Sequence, residues 1–315
     1  MLIRSTPRTL LTAAATLLAL SGVAGCDGGP ADAGAGGRPA VVAAFYPLQF
    51  IAERVGGDAV TVSNLAPPGA EPHDLELSLK QAGQVGDAAL VVYLRGFQPA
   101  VDEAVTQQGG DRAFDVGTVQ PLLAADEGAH AHEGEPSPDP SGGEKDPHVW
   151  LDPTRLATIA DQLAGRLGAV DPANAAAYTA RARTLHADLD KLDQEYAQRL
   201  KNCQRREIIT AHTAFGYLAR RYQLEQVGIT GLSPESEPSP QRVVEVAREA
   251  REHGATTIFF ETLVSPKTAE AIAREVGART AVLDPIEGLP AGYTGDYFTV
   301  MRTNLIALTT ALGCS

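Results

Sequence analysis

Hydrophobic and polar positions along the chain alternate between two recurring patterns. Short β-rich apolar runs predict strands at residues 39–45, 59–64, 88–94, 207–210, 256–260 and 280–283. Between or after them, apolar residues recur every three or four positions, and these segments predict helices at residues 78–85, 99–107, 215–222, 241–252, 266–276 and 295–312. This alternation is typical of an α/β fold. We therefore expect two α/β lobes of similar size, 40–170 and 202–315.

A long helix is predicted between the two lobes. Residues 172–200 contain no glycine, and no proline after Pro172, while leucines recur every three or four positions in the second half of the segment. Asp171 is a suitable N-cap and Pro172 a suitable first helical residue. Such a helix would be about 45 Å long at 1.5 Å per residue. We assign 171–201 to a rigid linker helix, so the lobes should move little relative to one another.

The first 39 residues have the pattern of a targeting segment. Arg4 and Arg8 precede an apolar run, 9–23, that is too short to span a bilayer, which predicts a signal peptide over 1–25. The run ends in Val-Ala-Gly-Cys26, which resembles a bacterial lipobox, where the cysteine carries the lipid. The alternative is a free cysteine after an ordinary signal. Residues 26–39 are rich in Gly, Ala and Asp and read as a lipidated tether, so we expect a lipid-anchored protein on the extracytoplasmic face of the cell membrane.

Composition narrows the class of partner. The net charge of −13 argues against nucleic acid, which requires a basic face. The same charge is compatible with a cation as ligand, although acidic balance alone is weak evidence.

Three of the seven histidines lie in loops beside predicted strands or helices. His73 ends the turn-rich sequence Pro-Pro-Gly-Ala-Glu-Pro-His after the second predicted strand, His148 lies in Asp-Pro-His-Val-Trp-Leu-Asp-Pro, and His212 follows strand 207–210. Binding residues of α/β folds concentrate at such loops. Three imidazoles and one oxygen complete the tetrahedral shell that zinc prefers. The histidines therefore predict a zinc site assembled by the fold.

The sequence offers two candidates for the fourth ligand. Residues 283–288, Leu-Asp-Pro-Ile-Glu-Gly, follow a predicted strand and offer two carboxylates, Asp284 and Glu287. We favour Glu287. Either carboxylate could instead cap the following turn, and a bound water is an alternative to both.

These motifs, in this order, resemble the metal-type solute-binding proteins of ABC transporters, in the zinc-uptake branch, from about residue 40 to 314. The resemblance implies two α/β lobes bridged by one long helix, a Zn²⁺ ion buried in the cleft between them, and an ABC permease as partner. Manganese members usually carry Glu at the position of His212, so histidine there implies zinc. We expect a monomeric receptor and not an enzyme.

Alternative functions are a manganese-binding homologue, a metal-dependent surface adhesin and a zinc hydrolase. A hydrolase needs an open coordination position and a general base, and no His-Glu-x-x-His motif occurs. Nothing in the sequence speaks for an adhesin.

Zinc members commonly carry a His-rich acidic loop between the first two ligands. The segment 126–145 resembles a reduced version of it, contains His130 and His132, and has the composition of a disordered segment. An accessory metal site and a plain solvated loop remain alternatives.

Four further residues have structural interpretations. Cys203 and Cys314 remain once Cys26 is lipidated, and two thiols outside the cytoplasm predict a disulfide, with zinc ligation by the pair as the rival. We interpret Glu261 as a buried carboxylate that stabilises a loop, and metal ligation by Glu261 is a minor alternative. We interpret Trp150 as a side chain that packs against the loop that carries His148.

Overall fold

The computed structural model describes residues 37–125 and 144–315, which form two lobes, each built on a parallel β-sheet of four strands. The strands are β1 Ala40–Ala43, β2 Thr61–Asn64, β3 Leu90–Tyr93 and β4 Ala113–Asp115 in the first lobe, and β5 Glu207–Thr210, β6 Glu225–Gly228, β7 Thr257–Phe260 and β8 Arg279–Val282 in the second. The strand orders are β2-β1-β3-β4 and β6-β5-β7-β8, so the two lobes repeat one topology. The predicted two-lobe α/β fold is confirmed.

Helices connect the parallel strands. They are α1 Tyr46–Gly56, α2 Leu79–Asp87, α3 Pro99–Gln108 and α4 Pro153–Val170 in the first lobe, α5 Ala175–Arg199 between the lobes, and α6 Gly216–Tyr222, α7 Pro240–Glu252, α8 Lys267–Val276 and α9 Tyr297–Leu312 in the second lobe. A parallel strand pair cannot be joined by a tight turn, so each connection crosses over and returns.

The linker helix α5 begins later than the sequence predicts. Asn174, and not Asp171, occupies its N-cap position, and the Asp171 carboxylate accepts hydrogen bonds from the Tyr178 hydroxyl at 2.7 Å and from Asn174 Nδ2 at 2.8 Å. Residues Pro172–Asn174 form a 3₁₀ turn, and the 25-residue helix starts at Ala175. Its length is about 37 Å at 1.5 Å per residue. One face is buried, with the residues Tyr178, Ala182, Leu185, Leu189, Leu192 and Tyr196.

The sequence predictions give no range for helices α1 and α4 or for strands β4 and β6, and α1 and β6 show why. Helix α1 begins after Phe45, which makes no side-chain cap hydrogen bond, so the usual polar start signal is absent. Strand β6 is Glu-Gln-Val-Gly and has only one β-branched residue. Both elements are fixed by burial against the rest of the lobe.

One hydrophobic core cluster extends across both lobes, a second, smaller cluster lies within the second lobe, and buried hydrogen bonds cross between the lobes. The core cluster includes residues of the first lobe, of α5 and of α9. The Tyr297 hydroxyl donates to the carbonyl of Trp150 at 2.7 Å, and the Tyr217 hydroxyl donates to the carbonyl of Asp146 at 2.9 Å. A shared core of this kind favours a fixed arrangement of the lobes over hinge closure.

The chain end is fastened to the start of the second lobe. Cys203 and Cys314 form a disulfide, as the sequence predicts, and the rival reading of this pair as zinc ligands is excluded. Ser315 N donates to the carbonyl of Asn202 at 3.0 Å.

Several predictions fall outside the described residues. They are the signal peptide, Cys26 and most of its tether, and the histidines His130 and His132. Across 37–125 and 144–315, no helix has both the length and the apolar content required to cross a bilayer.

Candidate metal centre

Four side chains from four separate loops meet where the two lobes face each other. His73 comes from the long loop after β2, His148 from the turn before α4, His212 from the loop after β5, and Glu287 from the loop after β8. Their donor atoms all lie within 4.8 Å of one another. His148 and His212 are fully buried, Glu287 is 2% exposed, and the His73 side chain is 11% exposed.

The donor atoms are spaced for a small tetrahedral ion. Glu287 Oε1 lies 3.3 Å from His73 Nε2, 3.0 Å from His148 Nε2 and 3.1 Å from His212 Nε2. The Nε2 atoms of His148 and His212 are 3.4 Å apart. A tetrahedron of donors about 2.0–2.1 Å from a zinc ion has edges of about 3.3 Å. Four of the six separations among the three nitrogens and one oxygen are therefore close to those of a zinc tetrahedron, and all six are within 4.8 Å.

Two carboxylates fix which nitrogen of each buried ring faces the centre. Asp146 Oδ1 lies 2.8 Å from His148 Nδ1, and Glu261 Oε1 lies 2.5 Å from His212 Nδ1. A carboxylate at Nδ1 keeps the proton on that atom and leaves the lone pair of Nε2 free for a metal ion. The same Asp146 oxygen accepts the backbone N–H of His148 at 2.9 Å, so one side chain sets both the turn and the ring.

His73 is held by its own loop and by the opposite lobe. Its backbone N–H donates to Glu71 Oε1 at 2.8 Å, and its ring packs on Phe97 with centroids 4.4 Å apart. Gly69, with a φ of 85° that suits glycine, donates its N–H to the carbonyl of Leu289 at 2.8 Å. This main-chain bond joins the loop of His73 to the segment that follows Glu287.

A cavity of about 330 Å³ opens beside His73. Its lining includes Arg95, Phe97, Leu122 and Lys145. Because His73 is the most exposed of the four donors, this cavity gives the centre its access to solvent.

The structure brings Glu287 into the group of donors and leaves Asp284 out of it. Asp284 Oδ1 accepts the backbone N–H of Ile286 at 2.7 Å, and its other oxygen accepts the hydroxyl of Thr262. Its carboxylate therefore stabilises the turn, as the capping alternative expects. Glu261 contacts His212, and does not simply hold a loop.

The sequence reasoning assigned no role to Asp146, Glu71 or Gln226. Asp146 lies two residues before His148 in Asp-Pro-His, a spacing typical of a side-chain-to-backbone turn, which is a signal that could have been used. Burial and the charge of Glu287 raise the pKa of Glu71 to about 8. Nε2 of Gln226, on β6, donates a hydrogen bond to the carbonyl of His212 at 3.1 Å. No local sequence pattern predicts this contact.

The electrostatics of the ion-free centre favour protonated rings. Burial disfavours the charged form of His212, but the charges of Glu261 and Glu287 outweigh it and raise its pKa to about 10. Burial lowers the pKa of His148, but the hydrogen bonds that its ring donates to the carboxylates of Asp146 and Glu287 outweigh burial and leave the pKa above its usual value. For Glu287, burial is outweighed by the charge of His212 and by hydrogen bonds from the three histidines, which lower its pKa well below the usual value. A cation is thus required at this centre, either as protons or as a metal ion.

The fold and the site together define a two-lobed α/β solute-binding protein with a centre for a metal ion. The profile of the family described as "Zinc-uptake complex component A periplasmic" matches residues 41–311. The chain belongs to this family. Members of this family are components of transport systems and are not enzymes.

Individual relatives are consistent with that family. The chain is 35% identical to the zinc-binding protein AdcA of Streptococcus pyogenes over 86% of its own length, and 34% identical to the high-affinity zinc uptake system protein ZnuA of Bacillus subtilis over 86% of its own length and 87% of the relative's. It spans only 56% of the S. pyogenes AdcA.

A solved relative has the same fold. The Zn(II)-bound ZnuA-like domain of Streptococcus pneumoniae AdcA superimposes with a TM-score of 0.73 at 30% identity, covering 88% of this chain and 99% of that domain. Full-length pneumococcal AdcA is named a zinc-binding lipoprotein, and the chain is 32% identical to it over 87% of its own length and 56% of the relative's.

The pKa values predict that metal binding releases protons. With the pKa of His212 at about 10, its ring is protonated at neutral pH in the ion-free protein and must lose that proton to become a ligand. The apparent affinity should therefore rise with pH up to about 10, by about tenfold per pH unit for each proton. Calorimetry at pH 7 in two buffers of different ionisation enthalpy should measure release of at least one proton. Zero net release would contradict the charge state assigned to His212.

The carboxylate behind His212 gives a second prediction. Glu261→Gln should weaken zinc binding by roughly 10- to 100-fold, the range typical of outer-sphere partners of metal ligands. The matched control is Asp161→Asn, because Asp161 makes a similar contact, 2.6 Å, with Nδ1 of the exposed His186. The control should bind zinc as the parent does. Equal affinity of the Glu261→Gln variant and the parent, measured with a chromophoric competitor, would show that Glu261 does not orient His212.

Proposed function

We propose that this chain is a receptor outside the cytoplasm that binds one Zn²⁺ and passes it to an ABC permease, with His73, His148, His212 and Glu287 as the ligands. The observation that carries the proposal is the group of four donor atoms within 4.8 Å of one another, three of them on buried residues, with four of the six separations at 3.0–3.4 Å. Zinc is the cargo here and takes part in no reaction. The family assignment and the zinc-binding relatives support the same reading.

The donor set favours zinc over manganese. Manganese prefers a larger, oxygen-rich octahedral shell, whereas imidazole nitrogens in a tetrahedron suit zinc. Three of the four donors are nitrogens, and the two most buried rings are each fixed by a carboxylate at Nδ1.

The same geometry argues against a hydrolase. A catalytic zinc keeps one coordination position open for water or substrate. Here four protein donors fill the tetrahedron, and three of them are buried within the shared core of the lobes. The adhesin alternative gains no support from the family assignment.

Competition between ions tests the proposal. The parent protein should bind one zinc ion per chain and should exchange bound manganese for zinc. His212→Ala should lose more affinity than the 10- to 100-fold typical of outer-sphere changes, because a donor is lost outright. The control is His186→Ala, which removes an exposed ring from α5 and should leave binding intact. Preference for manganese in calorimetric competition, or unchanged zinc binding after His212→Ala, would overturn the assignment.

For location, the proposal follows the sequence motifs. Residues 1–25 act as the signal peptide, Cys26 carries the lipid, 26–39 form the tether, and the receptor works as a monomer in which 40–170 and 202–315 are the lobes and 171–201 the linker. His130 and His132 of the 126–145 loop form at most an accessory site. Labelling of growing cells with a radioactive fatty acid should mark the parent protein, and Cys26→Ala should abolish the label. A labelled Cys26→Ala variant would contradict the anchor.

A further inference from the structure

The loop that carries Glu287 contains an unusual backbone conformation. Ile286 has a φ of 60°, in the left-handed region, and its side chain is fully buried. β-Branched residues rarely adopt this conformation, because the side chain crowds the backbone. Among the described residues, the other non-glycine residue with positive φ is Gln223, at the exposed end of α6. The conformation of Ile286 must be imposed by its surroundings.

Two buried side chains hold the backbone of the two residues that precede this position. Asn304, on α9, accepts the N–H of Asp284 through Oδ1 at 3.0 Å and donates Nδ2 to the carbonyl of the same residue at 2.7 Å. Trp150 Nε1 donates to the carbonyl of Pro285 at 2.7 Å. Asn304 is 1% exposed and Trp150 is fully buried. Their hydrogen bonds come from different lobes and act on consecutive residues.

Glu287 follows the strained residue directly. Its Oε1 atom contacts all three histidine rings, at 3.0–3.3 Å. Relaxation of φ at Ile286 to a negative value would swing the next residue and carry Oε1 away from the rings. Holding Ile286 in place is therefore equivalent to holding the oxygen donor in place.

We propose that Asn304 and Trp150 are positioning residues for the metal centre, which hold the 284–287 loop in the left-handed turn at Ile286 so that Glu287 faces the three imidazoles before an ion arrives. This inference rests on the proposed function, in which Glu287 is a zinc ligand. It assigns a role in metal binding to two residues outside the ligand set, Asn304 on α9 and Trp150 in the turn before α4.

Two variants each remove one set of these hydrogen bonds to the 284–285 backbone. Trp150→Phe removes the N–H donor and keeps an aromatic ring between Phe45 and Phe97, whose centroids lie 4.9 Å and 5.5 Å from that of Trp150. Asn304→Ala frees the backbone of Asp284, and Trp150→Phe remains as the test should that variant fold poorly. Each should raise the zinc dissociation constant by roughly 10- to 100-fold.

A double-mutant cycle with Glu287→Ala distinguishes positioning from a general structural role. If the two residues act through Glu287, the affinity loss caused by Trp150→Phe or Asn304→Ala should disappear in the Glu287→Ala background. A loss of the same size in both backgrounds would overturn the inference and leave the proposed function standing. A parent protein that binds no zinc would instead contradict the proposed function, and the inference with it.

Substitutions at Ile286 test the strain itself. Ile286→Ala and Ile286→Gly both remove the buried side chain, but only alanine retains the Cβ that opposes a left-handed turn. With Trp150 intact, the two variants should bind zinc equally, because the turn is held. With Trp150→Phe added, the glycine variant should bind roughly 5- to 30-fold more tightly than the alanine variant. The matched control, Gln223→Ala against Gln223→Gly, should show no difference in either background. An equal affinity of the two Ile286 variants in the Trp150→Phe background would overturn the proposal.

Discussion

The crowding of three imidazole nitrogens and one carboxylate oxygen in a buried space is the constraint on which the structure depends. Lone pairs at separations of 3.0–3.4 Å repel one another unless a cation lies among them. The protein must therefore hold these groups together in the ion-free state, and it does so with protons on the rings and with carboxylates behind them. The shared core of the two lobes and the stiff α5 helix serve the same end, because donors from opposite lobes stay in register only if the lobes do not separate.

Holding the donor groups in position before an ion binds costs free energy, and this cost is divided among several contacts. Burying charged groups is unfavourable unless each is paired, and every ionisable group at this centre has a partner: Asp146 for His148, Glu261 for His212, and the rings themselves for Glu287. The left-handed turn at Ile286 adds backbone strain of about 1–3 kcal/mol to this cost. Each contribution lowers the reorganisation that an arriving ion must bring about, which is the general route to tight binding by a rigid site.

The three histidines of the candidate centre were accessible from sequence because each lies in a distinctive local motif at the edge of a predicted strand or helix. The sequence favoured Glu287 over Asp284 but left both open, because both carboxylates occupy the same four residues. The conformation of Ile286 decides which of the two joins the donor group, because it turns the Asp284 carboxylate into the loop and the Glu287 carboxylate towards the histidine rings. Asn304 lies 20 residues away on α9 and Trp150 on the other lobe, so their hydrogen bonds depend on tertiary packing alone. The start of α5 was misplaced because Asp171 had a tyrosine partner that no local rule reveals.

The disulfide between Cys203 and Cys314 has a topological consequence for the second lobe. It closes a covalent ring with a sequence separation of 111 residues, and two of the four donors, His212 and Glu287, lie inside that ring while His73 and His148 lie outside it. A protease that cuts the backbone once anywhere within the ring leaves both fragments attached to the same molecule. A receptor nicked in this way outside the cell would keep all four donors on one covalently connected chain until a reductant opened the bridge.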